Sequence, residues 1–173
     1  MAGEGMKFTD FYSVAAVCSP SRGGLMTGCY PPRVGITGVL FPRHTIGLNP
    51  EESTVSEILK TRGYATAAVG KWHIGLARKH WPEKHGFQVA FHAQPSPGPP
   101  RGNYFSPYGV KLNAEPSPKS PGGTITDGPK GEYITDRLTD ESIAFIEANK
   151  NKPFYLNLWH YLSLIHISEP TRR

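Results

Sequence analysis

The chain has 173 residues, a formal net charge of +5 and two cysteines, and this length allows one domain with a hydrophobic core. Its basic residues are scattered rather than clustered. This argues against nucleic-acid binding, which requires a basic patch or stripe. No apolar stretch approaches the ~18–20 residues that cross a bilayer, so we expect no membrane segment. With 19 glycines and 17 prolines, extensive loops are expected.

The first informative stretch surrounds Cys18. An aromatic run over residues 7–12 predicts a short strand that leads into it. Pro20, at the first position of a helix, predicts that Cys18 stands just before a helix N-terminus, where the helix dipole favours negative charge. Arg22 can then fold its guanidinium back toward Cys18. The pattern favours a site that holds an anion against a reactive side chain, although a Cys18–Cys29 disulfide or two buried cysteines explain it as well.

The next element is a helix that begins after Thr54. Thr54 and Glu57 have the spacing of a capping box, and Gly63 suits the C-terminal cap. The apolar stripe that should face the core is Val55, Ile58 and Leu59.

A buried strand is predicted over residues 63–69, where the side chains are small or β-branched. If the chain stays extended beyond Gly70, Lys71 and His73 point to one side and Trp72 to the other. Open α/β sheets bind ligands at the carboxyl ends of their strands. We therefore expect Lys71 and His73 to reach one ligand together, whereas an isolated Lys-x-His is more often a solvated strand end.

The middle of the chain is less regular. Residues 86–92 are compatible with a short strand, and His80, His85 and His92 are expected at the surface or just behind a site. Residues 94–131 hold nine of the 17 prolines and predict a Pro/Gly-rich insertion that buries little, whether linker, lid or disordered segment.

The last predicted elements are an amphipathic helix over residues 132–149 and a strand over residues 154–159. The apolar stripe of the helix is Ile134, Leu138, Phe145 and Ile146. The alternation of helices and strands along the chain predicts an α/β fold of sandwich type.

Two segments resemble motifs of the type I sulfatases. CSPSRGGLMTG at residues 18–28 resembles the C-x-P-S-R…T-G signature, and GYATAAVGKWH at residues 63–73 resembles G-Y-x-T-x-x-x-G-K-W-H. The resemblance covers about residues 1–161. It implies a partial alkaline-phosphatase-like α/β/α sandwich with a mixed, mostly parallel sheet, which lacks its first strand and its C-terminal part.

The resemblance also implies a chemistry. Cys18 would be oxidised to formylglycine, whose hydrated aldehyde attacks a sulfate ester and forms a covalent sulfo-enzyme intermediate. Arg22 would hold the diol, Lys71 and His73 would contact the sulfate, and His73 would assist proton movement. Calcium is the implied cofactor of the complete protein. Cys18, as formylglycine, is the one implied metal ligand in this chain, because the Asp and Asn ligands of the family are absent.

The implied partners are a small sulfate ester or a sulfated carbohydrate, together with the formylglycine-generating enzyme. A periplasmic, extracellular or lysosomal location is expected from the family. Two alternatives stay open: a phosphonate monoester or phosphodiester hydrolase of the same superfamily, or a non-catalytic anion-binding remnant. Turnover of an aryl sulfate against an aryl phosphonate would separate the two hydrolases.

The domain organisation follows from where the resemblance ends. Residues 1–161 are interpreted as part of a sulfatase catalytic domain, inactive without the rest of it. Residues 162–173 instead resemble a translated sequencing adapter, and we interpret them as a non-native tail. Neither His160 nor His166 is assigned a catalytic role.

Overall fold

The structure, a computed structural model, describes residues 3–94, 98–117 and 120–162. Three α-helices and six strands occur among these residues. In chain order they are α1 (Cys18–Thr27), α2 (Val55–Thr61), β1 (Ala65–Gly70), β2 (Val89–Phe91), β3 (Ala93–Gln94), β4 (Lys111–Leu112), β5 (Gly122–Gly123), α3 (Ile134–Asn149) and β6 (Phe154–Trp159). Single turns of 3₁₀-helix cover Pro31–Val34, Arg78–His80, Pro82–Lys84 and Pro100–Gly102.

The main sheet has three parallel strands in the order β2-β1-β6. Strand β1 is central, and it pairs with β6 along its whole length, from Ala65 opposite Phe154 to Gly70 opposite Trp159. Five of its six residues are buried, which explains its small and β-branched side chains. Parallel pairing places the carboxyl ends of β1 and β6 side by side at one edge.

Helices cover both faces of this sheet. Ala68 of β1 packs in one core cluster with Met26 of α1, and the next residue, Val69, packs in a second cluster with Leu138 of α3. Successive side chains of a strand point to opposite faces. The predicted α/β/α sandwich is therefore confirmed, with α1 on one face and α3 on the other.

Most predicted helices and strands form. The capping box of α2 is present, because the Thr54 side chain accepts a bond from the Glu57 N–H and Glu57 accepts from the Thr54 N–H. Gly63 has a φ of 82° just beyond that helix. The prediction that the apolar stripe of α2 faces the core is wrong at Ile58, whose side chain is 54% exposed. In α3, Ile134, Leu138 and Phe145 are buried as predicted, and Ile146 is half-buried.

The described part of residues 94–131 packs on the body of the protein, contrary to our expectation that this region buries little. Strands β3, β5 and β4 form a second small sheet. Tyr108 and Ile125 are fully buried in the same cluster as Val69 and Leu138. The Asp127 carboxylate also accepts a 2.6 Å bond from the Tyr108 N–H. A few well-placed apolar side chains therefore anchor a Pro/Gly-rich segment whose average composition suggests a loop.

Residues 7–12 do not form the predicted strand. No strand in the described residues pairs with them, and Phe11 and Tyr12 are about 80% exposed. A strand needs a partner for its backbone groups, and aromatic composition alone does not supply one. The strand predicted at residues 86–92 forms only over Val89–Phe91.

Three histidines expected either at the surface or just behind a site are buried, so the surface alternative is wrong. His80, His85 and His92 are 6%, 0% and 1% exposed. Aromatic neighbours enclose two of them, since the His85 ring lies 5.7 Å from Trp72 and the His92 ring 4.8 Å from Trp81. Their positions depend on long-range packing that composition does not reveal.

The described helices were also considered as membrane spans. None of those in residues 3–94, 98–117 and 120–162 combines the length and the apolar character that a crossing requires. Of the tail proposed at residues 162–173, the part from residue 163 onward, including His166, lies outside the described residues.

Candidate active site

Cys18 is the first residue of α1, so the helix begins two residues earlier than Pro20 suggested. Val17 is the N-cap, with extended backbone angles and no side-chain cap. The first turn contains no acidic residue, and its free N–H groups carry the positive end of the helix dipole. The Cys18 side chain therefore stands where negative charge is favoured, as the sequence predicts.

Lys71 reaches Cys18 from the end of β1. Its Nζ donates to the Cys18 Sγ at 3.1 Å, and its side chain is largely buried. The backbone N–H of Lys71 donates to the Trp159 carbonyl at 2.7 Å, which extends the β1–β6 pairing by one residue. Burial lowers the pKa of Lys71, and the contact with Cys18 opposes that shift.

Arg22 lies on the same side of the sheet. Its Nη1 donates to the Lys71 carbonyl at 2.7 Å, and its guanidinium carbon lies 4.4 Å from the centre of the Trp159 ring. Burial lowers the pKa of Arg22, whereas its proximity to Cys18 raises it. No ion pair joins Arg22 or Lys71 to a carboxylate within the described ranges. Two cations thus meet at Cys18 without a compensating anion.

The backbone that leads to His73 differs from the extended strand that was predicted. Gly70 and His73 have φ values of 98° and 61°, so the chain does not continue as an extended strand. The His73 Nε2 lies 2.7 Å from the Leu40 carbonyl, an acceptor, so Nε2 carries the proton. Leu40 is in turn held by its N–H, which donates to Ser19 Oγ at 3.1 Å. The bonded partner of His73 is thus Leu40 rather than Cys18.

The charge state of His73 follows from its surroundings. Burial lowers its pKa to about 4, the bond to Leu40 opposes this, and the nearby charges of Lys71 and Arg22 lower it further. His73 is therefore neutral near pH 7, with a lone pair on Nδ1. That atom is buried and has no hydrogen-bond partner among the described residues. It is therefore an unused hydrogen-bond acceptor beside the site.

A cavity of about 470 Å³ opens beside these residues. Cys18, Arg22 and Trp159 line it, with Ser13 and Ser21 on its polar side. Lys71 and His73 are not among the residues that line it. The structure thus links Cys18 and Arg22 through Lys71, whose side chain contacts Cys18 and whose carbonyl binds Arg22, while His73 is bonded to Leu40.

The disulfide alternative does not occur, since Cys18 and Cys29 are both free and half-buried. The residues present do not fit a calcium ion on their own. The described ranges contain no group of three His, Cys, Asp or Glu side chains that could hold a metal. Calcium prefers several oxygen ligands, whereas the side chain that contacts Cys18 is the cation Lys71.

Trp159 and Leu40 are parts of this site that the sequence analysis missed. Trp159 ends β6, at the same sheet edge as Lys71, and this edge placement is a signal that could have identified it. Leu40 acts through its backbone carbonyl, for which no residue type is diagnostic.

The fold and the site together define a class: an α/β/α protein that presents a cysteine at a helix N-terminus to two cations, neither of which forms an ion pair with another described residue. The sulfatase family model matches residues 1–162, and the chain belongs to that family, which comprises sulfuric ester hydrolases.

Relatives with known names support this assignment. The chain is 35% identical to an arylsulfatase of Hemicentrotus pulcherrimus over 96% of its own length and 31% of that protein. It is 36% identical to human arylsulfatase G over 85% of its length and 26% of that protein. The chain therefore spans less than a third of the length of these relatives.

Solved structures agree. The crystal structure of Ps i-CgsB in complex with k-i-k-neocarrahexaose superposes with a TM-score of 0.70 at 29% identity, covering 88% of this chain and 36% of that one. BT4656, in complex with its substrate D-glucosamine-2-N,6-O-disulfate, gives a TM-score of 0.56 at 26% identity, covering 87% of this chain and 26% of that one.

Proposed function

We propose that the complete protein to which this chain belongs hydrolyses sulfate esters, with residue 18, modified to formylglycine, as the nucleophile. The observation that carries the proposal is the 3.1 Å contact between Lys71 Nζ and Cys18 Sγ, with Arg22 bonded to the same lysine. A sulfate monoester carries negative charge on the oxygens around its sulfur. A nucleophile flanked by two unpaired cations is suited to receive such a group.

The site fits the modification. Cys18 is only half-buried and lines an open cavity, which supports access by a modifying enzyme. Once formed and hydrated, the formylglycine would supply a hydroxyl that bonds to the sulfur while the ester S–O bond breaks and the alcohol leaves. The formylglycine-generating enzyme is accordingly a proposed partner.

The cations have separate tasks in this proposal. Lys71 and Arg22 bind the sulfate oxygens electrostatically and stabilise the charge that grows on them in the transition state. Their low exposure strengthens this effect, because fewer water molecules screen the charges. Arg22 also orients residue 18, one helical turn earlier on α1.

His73 serves as a proton acceptor rather than as a third cation. Its Nε2 donates to Leu40, which leaves the Nδ1 lone pair for a hydroxyl proton. A pKa of about 4 keeps the ring neutral at physiological pH, so the acceptor is available. The Leu40 carbonyl selects this tautomer.

The substrate we propose is a sulfated carbohydrate or another small sulfate ester. Two similar structures were solved with sugar ligands, k-i-k-neocarrahexaose in one and the substrate D-glucosamine-2-N,6-O-disulfate in the other. We expect the 173-residue chain alone to be inactive, because its described residues offer no three-ligand metal cluster. Calcium would have to be held largely by residues outside this set.

The test is mass spectrometry of the chain after co-expression with a formylglycine-generating enzyme. Trypsin should release Cys18 in residues 8–22 and Cys29 in residues 23–33. We expect the first peptide to become lighter by the difference between –CH₂SH and –CHO and to react with a hydrazide. The second peptide is an internal control and should stay a thiol. An unmodified Cys18 under these conditions would favour the non-catalytic remnant.

A further inference from the structure

The environment of Arg22 is unusual for a cation that is half-buried and lines the cavity. A guanidinium withdrawn from water is generally paired with a carboxylate. Arg22 is instead held by the Lys71 carbonyl at 2.7 Å and by the face of the Trp159 ring at 4.4 Å. Within the described ranges it forms no ion pair. A carbonyl and an aromatic ring attract a cation without cancelling its charge.

The fold explains why Trp159 meets Arg22. Side chains of β6 alternate between the faces: Leu156 and Leu158 join the cluster on the α3 side, whereas Tyr155 and Trp159 join the cluster on the α1 side. Trp159 therefore points at α1, the helix that carries Arg22.

Trp159 is also connected to the second cation. Its carbonyl accepts the backbone N–H of Lys71 at 2.7 Å, and the Lys71 carbonyl accepts the Arg22 side chain. A closed chain of contacts thus runs from the Trp159 backbone through Lys71 to Arg22 and returns to the Trp159 ring. The ring itself is supported by Trp72, whose centre lies 6.0 Å away in a stacked arrangement.

We propose that Trp159 is a positioning residue of the anion site: its ring holds the Arg22 guanidinium against the cavity while leaving the charge of Arg22 free for the substrate. The proposal rests on the proposed function, since it assigns Trp159 a role in the same site. A carboxylate at this place would hold Arg22 as firmly but would neutralise it. The attraction between a guanidinium and the negative face of an aromatic ring provides the alternative.

The experiment measures the charge that Cys18 experiences in the unmodified chain. Iodoacetate and iodoacetamide both alkylate a thiolate with loss of iodide, but only iodoacetate is an anion. We define the charge preference as the rate constant for iodoacetate divided by that for iodoacetamide at Cys18, relative to the same quotient at Cys29. Because both reagents use the same thiolate, its abundance cancels in each ratio. Tandem mass spectrometry distinguishes the two cysteines.

The expected result depends on the ring. The wild-type chain should show a charge preference above one, and Arg22→Gln should lower it about fivefold or more, the effect of one unit charge near 4 Å. Trp159→Leu should lower it nearly as far, whereas Trp159→Phe, which keeps an aromatic face, should retain most of it. The charge preference of the double variant Arg22→Gln/Trp159→Leu should be no lower than that of Arg22→Gln alone. Trp81→Phe, at a tryptophan outside the site, is the matched control and should behave as the wild type.

Different failures have different meanings. If Trp159→Leu keeps the wild-type preference while Arg22→Gln loses it, the Lys71 carbonyl alone positions Arg22 and the role of Trp159 is refuted. If the charge preference of Trp159→Phe is as low as that of Trp159→Leu, an aromatic face does not hold Arg22 in place, and the inference is again refuted. If the wild-type chain shows no preference at all, the anion site of the proposed function fails, and the role of Trp159 fails with it.

Discussion

The side-chain nitrogen of Lys71 lies 3.1 Å from the sulfur of Cys18, although 53 positions separate the two residues. Lys71 follows the central strand of a parallel sheet, and Cys18 begins the helix that covers one face of that sheet. The contact joins the two places in an α/β fold that attract anions, the carboxyl edge of the sheet and a helix N-terminus. It gives the first of four predictions.

Replacing Lys71 with Met should lower the charge preference at Cys18 about fivefold or more, because the cation nearest the sulfur is lost. In the complete enzyme we expect kcat to fall by about 10²–10³, the usual cost of one preorganised donor. Competing alkylation of the chain and steady-state kinetics of the enzyme provide the two measurements. Lys60→Met, at an exposed lysine of α2, should change neither. An unchanged preference in Lys71→Met would contradict the assigned site.

Replacing Gly70 with Ala should destabilise the protein far more than replacing Gly63 with Ala. Both glycines have positive φ values, 98° and 82°, so either alanine carries backbone strain of about 1–2 kcal/mol. At Gly63 the new methyl group meets nothing within 4 Å, whereas at Gly70 it would overlap the Trp159 carbonyl. That overlap would separate β1 from β6 and break the Lys71 bond to Trp159. Urea unfolding measures both variants, and equal losses would refute the close strand contact.

Replacing Thr54 with Ala should reduce the free energy of unfolding by about 1–2 kcal/mol, the usual cost of an N-cap. The Thr54 hydroxyl accepts from the Glu57 N–H and also lies 3.1 Å from the His85 carbonyl, so its loss frees groups on two elements. Thr61→Ala, at an exposed threonine of the same helix, should stay within about 0.5 kcal/mol of the wild type. If the two threonine variants unfold at the same urea concentration, the capping box does not stabilise this fold.

Acid should destabilise the chain between about pH 6.5 and pH 4. Burial lowers the pKa of His73 and of His85 to about 4, below the ordinary value of 6.5. In that window the unfolded chain binds more protons, so each histidine removes up to ~1.4 kcal/mol of stability per pH unit as the pH falls. Above pH 6.5 both are neutral in either state and contribute no slope.

The His85→Phe variant tests this origin of the pH dependence. Phenylalanine has a similar size, does not titrate, and replaces a ring whose two nitrogens are buried without partners among the described residues. Urea unfolding at several pH values should show a shallower slope below pH 6.5, with the remainder due to His73. A slope equal to that of the wild type would show that His85 is accessible to protons in the folded state.

Helices and strands were predicted correctly where neighbouring residues alone carry the signal. The capping box at Thr54 and Glu57 correctly predicted α2, and the apolar run at residues 154–159 correctly predicted β6 over the same residues. The aromatic run at residues 7–12 failed as a strand because a strand also needs a partner, which local composition does not provide. The buried Tyr108 and Ile125 show the reverse case, in which two side chains anchor a region of loop-like composition.

The sequence by itself identified the family and the residues of the proposed site: a cysteine ahead of a proline and an arginine, and a lysine and a histidine after a buried strand, are local motifs that can be read in order. Only the tertiary structure decided how these groups meet. The parallel register of β1 and β6 sets Trp159 beside Lys71, and the alternation of β6 turns the Trp159 ring toward Arg22. The turn at Gly70 and His73 sends the histidine to the Leu40 carbonyl. Such contacts depend on pairing and packing between distant segments, which no single segment encodes.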